Sequence, residues 1–276
     1  MILIADSGST KTDWAIISGT NIKKFTTSGI NPFYLNSIEI SQILQDEFPD
    51  GLKNNFANMW FYGAGCTPEK KNIVFQALQT SFNSLQINVE SDLLGTARAL
   101  CGNEKGIACI LGTGSNSCYY NGTSIESNVS PLGYILGDEG SGAVLGKRFL
   151  ADLLKNQLSN EIASAFFESI ALTPAELLHR IYREPLPNRF MASITPFLKK
   201  WESNQLIYNL IHDEFNRFIS RNILQYPQSS KILIHFSGSI AFHFSAILKD
   251  VLLSNHLTPG IIVKNPLDSL IDYHTR

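Results

Sequence analysis

Short apolar runs alternate with amphipathic segments along the N-terminal third of the chain. Apolar runs of strand-like composition predict strands at 2–6, 12–18, 21–27, 58–63 and 86–90. Apolar residues at helical spacing predict helices at about 37–48, 68–82 and 92–102. The resulting order, β-β-β-α-β-α-β-α, indicates an α/β fold.

The same order partly restarts after a polar, glycine-flanked crossing at 101–106. Further along, the pattern predicts strands at 106–111, 115–121 and 124–128, a helix at 141–156, a strand at 231–236, a helix at 239–253 and a last strand near 260–263. A mostly helical insertion covers about 157–226. We therefore expect two copies of one unit, an N-terminal domain at 1–103 and a C-terminal domain at 104–276 enlarged by the insertion, packed around a central cleft.

Composition and charge exclude several classes of protein. The 276 residues are 44% hydrophobic and 17% charged, which is typical of a folded globular chain. With 22 basic and 24 acidic residues the net charge is −2, which argues against a nucleic-acid partner. No apolar run approaches the ~18 residues of a membrane span, and we expect no membrane association. The four cysteines form no CxxC pair, which favours a reduced, cytoplasmic location.

Two glycine loops stand at corresponding points of the two copies. The first is Asp6-x-Gly8-x-Thr10-Lys11-Thr12, and the second is Gly112-Thr113-Gly114-Ser115-Asn116. Each follows an apolar strand, and each could be an ordinary hairpin turn. Glycine also lets a backbone approach a bulky anion, and free N–H groups and hydroxyls suit phosphate oxygens. Their duplication favours phosphate binding, with Asp6 holding Mg²⁺ through water, although the spacing is not that of a P-loop.

Three further segments carry candidate chemistry. Gly137-Asp138-Glu139-Gly140-Ser141-Gly142 opens a helix, so that its acids could bind substrate hydroxyls or a metal-bound water, while Asp138 or Ser141 could cap the helix. Asp92 follows a predicted strand, where it could be a helix cap or a catalytic base. Gly238-Ser239 joins a strand to a helix, and its glycine could admit a flat nucleoside.

These motifs, in this order, resemble the N-acetylglucosamine kinase branch of the sugar-kinase/Hsp70/actin superfamily, the group also described as BadF/BadG/BcrA/BcrD-type ATPases. The resemblance covers nearly the whole chain and implies two ribonuclease-H-like domains that close on ATP and a sugar. It implies ATP contacts by Thr10, Thr113, Ala192, Gly238, Ser239 and His243. It implies sugar contacts by Asn31, Asp92, Ser115, Asn116 and Asp138, with Asp92 as the catalytic base.

Two segments depart from the pattern of that family. The family's glycine-rich, sugar-contacting stretch is here Pro131-Leu132-Gly133-Tyr134-Ile135, in which Gly133 and Tyr134 are the candidate contacts. Near the C-terminus, residues 265–270 replace a Gly-Ala-rich helix start. The first departure bears on which sugar is used.

The sequence thus predicts an ATP-dependent, Mg²⁺-requiring kinase that phosphorylates the 6-hydroxyl of N-acetylglucosamine or a related amino sugar, and a homodimer is compatible with this function. One alternative is an activator ATPase that holds an iron–sulfur cluster between subunits through paired cysteines, but no such cysteine motif is present. A second is a non-catalytic sensor of nucleotide or sugar, which would not need a base at Asp92.

Overall fold

The computed structural model describes residues 1–52 and 55–275, which divide into two compact units. The first unit contains 1–104, 120–125 and 265–276, and the second contains 105–119 and 126–264. In chain order the strands and helices are β1 (Ile2–Ser7), β2 (Lys11–Ser18), β3 (Asn21–Ser28), α1 (Ser37–Glu47), β4 (Phe56–Gly63), α2 (Lys71–Ser81), β5 (Ser84–Ser91), α3 (Asp92–Cys101), β6 (Gly106–Leu111), β7 (Ser115–Tyr120), β8 (Ile125–Val129), α4 (Gly133–Leu136), α5 (Gly142–Leu154), α6 (Asn160–Ile170), α7 (Pro174–Tyr182), α8 (Pro187–Ala192), α9 (Thr195–Lys200), α10 (Gln205–Arg221), β9 (Leu233–Ser237), α11 (Ser239–His243), α12 (Ser245–Ser254), β10 (Thr258–Val263) and α13 (Leu267–Thr275).

The first unit is built on a five-stranded mixed sheet of order β3-β2-β1-β4-β5. β1 is antiparallel to β2 and parallel to β4, and β4 is parallel to β5. β2 is buried along almost its whole length, so its apolar residues contact both layers that cover the sheet. One layer includes Trp14, Phe48 and Phe61, whose rings pack edge-on or tilted against one another.

The C-terminal helix α13 belongs to the first unit and was not predicted as a helix. Its apolar residues Leu267, Leu270 and Ile271 pack with Ile4 and Ile17 on the second face of the first sheet. This face would otherwise be exposed to water, so its burial accounts for the return of the chain. The second unit therefore differs from the expected C-terminal domain at 104–276, because residue 104, residues 120–125 and residues 265–276 belong to the first unit.

The second unit repeats the same strand order, written β10-β9-β6-β7-β8. β9 is parallel to both β6 and β10, as β4 is to its neighbours in the first sheet. The helices α6 to α10 form the predicted insertion, and their apolar residues share one core with the sheet. The expected α/β class with two similar sheets is thus confirmed.

Several element boundaries differ from the predicted ones. α2 begins at Lys71 because residues 68–70 form a turn, in which the Thr67 carbonyl accepts the N–H groups of Lys70 and Lys71. The helix predicted at 239–253 is divided into α11 and α12 at Phe244. The short helix α4 was not predicted. Among the residues described, no helix combines the length and hydropathy required to cross a bilayer.

Candidate active site

Two of the predicted acidic residues lie at the carboxyl edge of the first sheet. Asp6 is the next-to-last residue of β1, and Asp92 directly follows β5 as the first residue of α3. β4 pairs with both strands in parallel, and its last residue, Gly63, lies beside Ser91. Ser91 caps α3, since its hydroxyl accepts the Leu94 N–H at 3.2 Å. Asp92 is therefore not the N-cap residue that its position allowed.

Both carboxyl groups have raised pKa values. Burial raises the pKa of Asp6 to about 7, with smaller contributions from the charges of Asp92 and Asp13 and an opposing one from Lys11. Burial raises the pKa of Asp92 to about 6, against the effect of backbone N–H groups. Asp6 thus lies near two other acidic groups, and a bound cation would offset the repulsion between their negative charges. A pKa near 6 also suits a base that works near neutral pH.

The first glycine loop is held by hydrogen bonds within its own unit. The loop closes where Gly8 N–H donates to the Lys11 carbonyl at 2.9 Å. The Thr12 hydroxyl lies 2.7 Å from the Ser7 hydroxyl and donates to the Ser28 carbonyl at 3.0 Å. Thr12 is fully buried, whereas Thr10 is exposed. The Thr12 side chain therefore supports the loop, and the Thr10 hydroxyl faces outward.

Asn31 lies beside this loop. Its side-chain amide donates to the Ser9 hydroxyl at 3.2 Å, and its Oδ1 accepts the Phe33 N–H at 2.9 Å. Gly65, at φ +79°, allows this packing, because a Cβ there would lie 2.3 Å from Asn31 Oδ1. Sequence reasoning gave no role to Phe33, whose ring is 58% exposed beside Asn31. The sequence offers only its position, two residues after a candidate ligand, because exposure is decided by the fold.

The second glycine loop is tied to the start of α5. Gly112 N–H donates to the Gly114 carbonyl at 2.9 Å and closes the turn. The Gly112 carbonyl then accepts the Gly142 N–H at 2.8 Å, and the Thr113 carbonyl accepts the Ala143 N–H at 3.1 Å. Ser141 caps the helix, as the sequence allowed, by accepting the Val144 N–H. The loop thus uses carbonyl groups to hold the helix, and Gly112 borders open space.

Two further predicted nucleotide-contacting segments, around Ala192 and Gly238, lie beside this loop in the second unit. A Cβ at Gly142 would lie 3.2 Å from Ala192 Cβ and 3.3 Å from the Gly112 carbonyl. Gly238 has φ +114°, and a Cβ there would lie 2.3 Å from the Leu111 carbonyl. Only glycine permits this close passage of the turn after β9. The structure therefore brings together residues that lie far apart in sequence.

Ser239 and His243 follow on α11, and both are exposed. The His243 ring packs edge-on against Phe242, with ring centroids 5.5 Å apart. Nothing else among the described contacts holds the His243 ring in place. Their contact with a nucleotide stays a prediction.

Asp138 bridges the second loop and the GDEGS turn. Its Oδ1 accepts the Ser115 N–H at 3.2 Å, and a Cβ at Gly114 would lie 3.1 Å from its Oδ2. Burial raises the pKa of Asp138 to about 6; the Ser115 N–H and Lys147 lower it, and Glu139 raises it. Asp138 thus remains able to accept hydrogen bonds from a ligand near neutral pH.

Other predicted sugar contacts in the second unit have hydrogen-bond partners of their own. Asn116 uses its Oδ1 to accept the Ser117 N–H and the side-chain amide of Asn128, both at 2.9 Å. Gly133 and Tyr134 lie in α4, where the Tyr134 carbonyl accepts Lys147 Nζ at 2.6 Å. Their role with a sugar stays a prediction.

Glu139 does not face outward as its neighbour does. The side chain is 5% exposed and accepts hydrogen bonds from Arg221 and, at 3.3 Å, from Asn222. The sequence had offered the two adjacent acids for binding hydroxyls or a metal-bound water, but both oxygens of Glu139 are engaged. In the parts of the chain that the structure covers, no group of three or more His, Cys, Asp or Glu side chains is arranged for a metal.

Two sheets of identical strand order, each with a glycine hairpin after its first strand, define a ribonuclease-H-like ATPase of the actin-like class. A proposed N-acetylglucosamine kinase from Porphyromonas gingivalis is 45% identical, with a TM-score of 0.94 over 99% of this chain and 98% of that one. A proposed N-acetylglucosamine kinase from Chromobacterium violaceum is 16% identical, with a TM-score of 0.75 over 99% and 98% of the two chains.

A glucokinase from Streptomyces griseus, solved with glucose and AMPPNP, is 11% identical, with a TM-score of 0.58 over 99% and 97% of the two chains. The similarities to the Chromobacterium and Streptomyces proteins concern the fold alone. No model of a protein family matches the sequence, and no curated protein matches it. The likeness to the Porphyromonas protein shows that this chain belongs to the N-acetylglucosamine kinase-like ATPase family of the sugar-kinase/Hsp70/actin superfamily.

Proposed function

We propose that the protein is an ATP-dependent kinase that phosphorylates the 6-hydroxyl of N-acetylglucosamine or a related amino sugar. The observation that carries this proposal is Asp92, a carboxyl with a pKa of about 6 at the carboxyl edge of β5, close enough to Asp6 to raise its pKa. The name of the 45% identical Porphyromonas protein supports the choice of amino sugar.

Asp92 acts as the general base in this proposal. The sugar O6 attacks the γ-phosphorus of ATP, the new O6–P bond forms, and the bond from phosphorus to the β,γ-bridging oxygen breaks. The hydroxyl proton passes to Asp92, and ADP leaves. Because the pKa of about 6 leaves Asp92 mostly ionised at neutral pH, it can accept that proton. Alignment and charge neutralisation supply most of the acceleration in phosphoryl transfer.

The residues around Asp6 fit a divalent cation. Asp6 is a partly buried carboxyl whose pKa is raised mainly by burial and further by Asp92 and Asp13, and a positive charge there would favour its ionised form. Mg²⁺ is commonly held by one or two carboxylates, phosphates and several waters, so a single acid suffices. When bound, Mg²⁺ neutralises charge on the phosphates. Asp6 would hold it through water.

The two glycine loops bind the phosphates of ATP in this proposal. In the first unit, the turn from Gly8 to Lys11 presents the exposed Thr10 hydroxyl to the phosphates. In the second unit, Thr113 and Gly114 lie on a loop whose carbonyls are fixed by α5, so that the loop is organised before the ligand arrives. The segments around Ala192, Gly238, Ser239 and His243 would contact the nucleoside.

The proposed sugar contacts are Asn31, Asp92, Ser115, Asn116, Gly133, Tyr134 and Asp138. Asp138 is the strongest of these candidates, because the Ser115 N–H fixes one carboxylate oxygen while the other stays available. A site built to bond hydroxyls rejects analogues that lack them. We therefore expect deoxy sugars to be poor substrates.

The test is ATP consumption by the purified protein with Mg²⁺ across a panel of free sugars that includes N-acetylglucosamine, N-acetylmannosamine, glucosamine and glucose. N-acetylglucosamine should give the highest kcat/KM, with phosphate at the 6-position by NMR. If N-acetylglucosamine is inert while another sugar is phosphorylated, the kinase assignment stands and the named substrate is wrong. If no sugar is phosphorylated, the proposed function is wrong.

A further inference from the structure

The GDEGS turn has two adjacent acids in opposite environments. Asp138 is partly exposed and keeps one carboxylate oxygen available, whereas Glu139 is 5% exposed and is bonded to Arg221 and Asn222 at the end of α10. A buried carboxylate without partners would be strongly unfavourable. Here both partners come from one short segment, which fixes the turn to the insertion.

The backbone of the turn needs such support. Asp138 has φ +54°, a left-handed conformation that is unfavourable for residues other than glycine. Its N–H donates to the Pro131 carbonyl at 2.9 Å, and its carbonyl accepts the Ser141 N–H at 3.1 Å. Gly140, at φ +70°, packs close to Phe215 and Phe218 of α10. The turn is therefore held from both sides, and α10 supplies one of those sides.

We infer that Glu139 is a positioning residue for sugar binding, which acts by holding Asp138 in its left-handed conformation through its bonds to Arg221 and Asn222. This inference rests on the proposed function. Glu139 itself does not contact the sugar or ATP. Its effect reaches the sugar only through the Asp138 carboxylate, whose Oδ1 is aligned by the Ser115 N–H at 3.2 Å.

Glu214 provides a matched control. It is also a fully buried glutamate with arginine partners, since its Oε1 accepts Arg148 at 3.0 Å and Arg217 at 2.9 Å. It lies within α10 and makes no described bond to the GDEGS turn. The variant E214Q therefore reports the general effect of neutralising a buried, arginine-paired glutamate in this unit.

The experiment compares E139Q, R221Q and E214Q, alone and combined with D138N, by steady-state kinetics with N-acetylglucosamine and ATP. E139Q should raise the KM for the sugar about tenfold, as expected when one hydrogen bond to a charged group is weakened, and change the KM for ATP less than about twofold. In the D138N background, E139Q should add little further loss, because its effect passes through Asp138. R221Q, at a half-exposed residue, should show a smaller effect of the same kind.

Three results would overturn the inference. The first is an E139Q variant that matches E214Q in both KM values. The second is a double variant in which the fold-change in the sugar KM equals the product of the fold-changes of E139Q and D138N. The third is an R221Q variant that raises the KM for ATP rather than for the sugar. A wild-type protein that phosphorylates no sugar would overturn the proposed function as well. An active wild-type protein with an E139Q variant that resembles E214Q would overturn only this inference. If E139Q does not fold, the R221Q comparison decides.

Discussion

The two glycine hairpins occupy the same place in two sheets of the same strand order, yet they are held in different ways. In the first unit, buried hydroxyls of Ser7 and Thr12 bond to each other and to nearby carbonyls. In the second unit, carbonyls of Gly112 and Thr113 accept N–H groups from the start of α5. A duplicated fold therefore preserves the turn while each copy supports it differently.

The acidic residues beside the two hairpins also differ, in this case in their charged partners. In the first unit, burial raises the pKa values of both Asp6 and Asp92, and neither carboxyl has an arginine partner among its described contacts. In the second unit, Glu139 is paired with Arg221, and Asp138 accepts a backbone N–H. The first unit thus holds unfavourable charge, as expected where a cation and a proton are handled. In the second unit the buried Glu139 is paired with Arg221, whereas Asp138, whose pKa burial also raises to about 6, resembles Asp92.

The variant D92N should give the largest effect. It removes the general base, so kcat should fall about 10²–10⁴-fold, while the KM values change less. It also removes a carboxyl whose pKa is raised by burial, and the Tm at pH 8 should therefore rise or stay unchanged. Steady-state kinetics and thermal melts would measure both effects.

Asp250 on α12 provides the control for Asp92, because D250N removes an exposed carboxylate that has no part in the proposed site. It should leave kcat and the Tm unchanged. A D92N variant with wild-type turnover would exclude Asp92 from the mechanism. A strong loss of Tm in D92N would contradict the account of unfavourable charge in the first unit.

The variant D6N should give the second-largest effect, on the dependence on Mg²⁺. Because Asp6 is expected to hold the ion through water, its loss should weaken the apparent affinity for Mg²⁺ about 10–100-fold. Activity titrated against Mg²⁺ would show a shifted midpoint and partial recovery at high Mg²⁺. An unchanged midpoint would remove Asp6 from the proposed metal site.

A smaller effect separates the hydroxyls of the first hairpin. T10V should weaken ATP binding a few-fold without loss of stability, because the exposed Thr10 hydroxyl is proposed to face phosphate. T12V should instead cost about 1–3 kcal/mol of stability, because it leaves buried partners of the Thr12 hydroxyl unsatisfied. T113V in the second unit should behave like T10V. Calorimetric ATP titration and denaturant unfolding would distinguish these outcomes, and T10V behaving as T12V would identify the hairpin as purely structural.

Much of this comparison could be predicted from the sequence, because strand periodicity and glycine motifs are local signals. The duplicated order and the Ser141 cap followed from such signals. The inward orientation of Glu139 did not, because it depends on Arg221 and Asn222, far along the chain. Likewise, a Thr-Lys-Thr sequence cannot tell which hydroxyl is buried, since strand pairing decides it.

The helix α13 could not be predicted from local sequence patterns either. Its sequence is short, and its reason to form lies in the uncovered face of a sheet whose strands are far away along the chain. His274 of this helix lies 2.8 Å from the Tyr62 hydroxyl, which in turn accepts a hydrogen bond from Arg98 of α3 at 2.9 Å. The C-terminus is thus connected to the helix that begins at Asp92.

This connection predicts the smallest effect, a dependence of the first unit on pH. Burial, with a smaller contribution from Arg98, lowers the pKa of His274 to about 4. The unfolded chain takes up this proton near pH 6.5, so the stability that neutral His274 contributes is complete above pH 6.5 and is lost as pH falls toward about 4. Asp6 and Asp92 have raised pKa values and change stability in the opposite direction, so the comparison of variants isolates the histidine.

The Tm of H274Q should therefore fall less than that of the wild type between pH 7 and pH 5, whereas H179Q, at an exposed histidine of α7, should follow the wild type. Parallel Tm curves for H274Q and the wild type would show that burial and Arg98 do not hold His274 neutral in the folded protein.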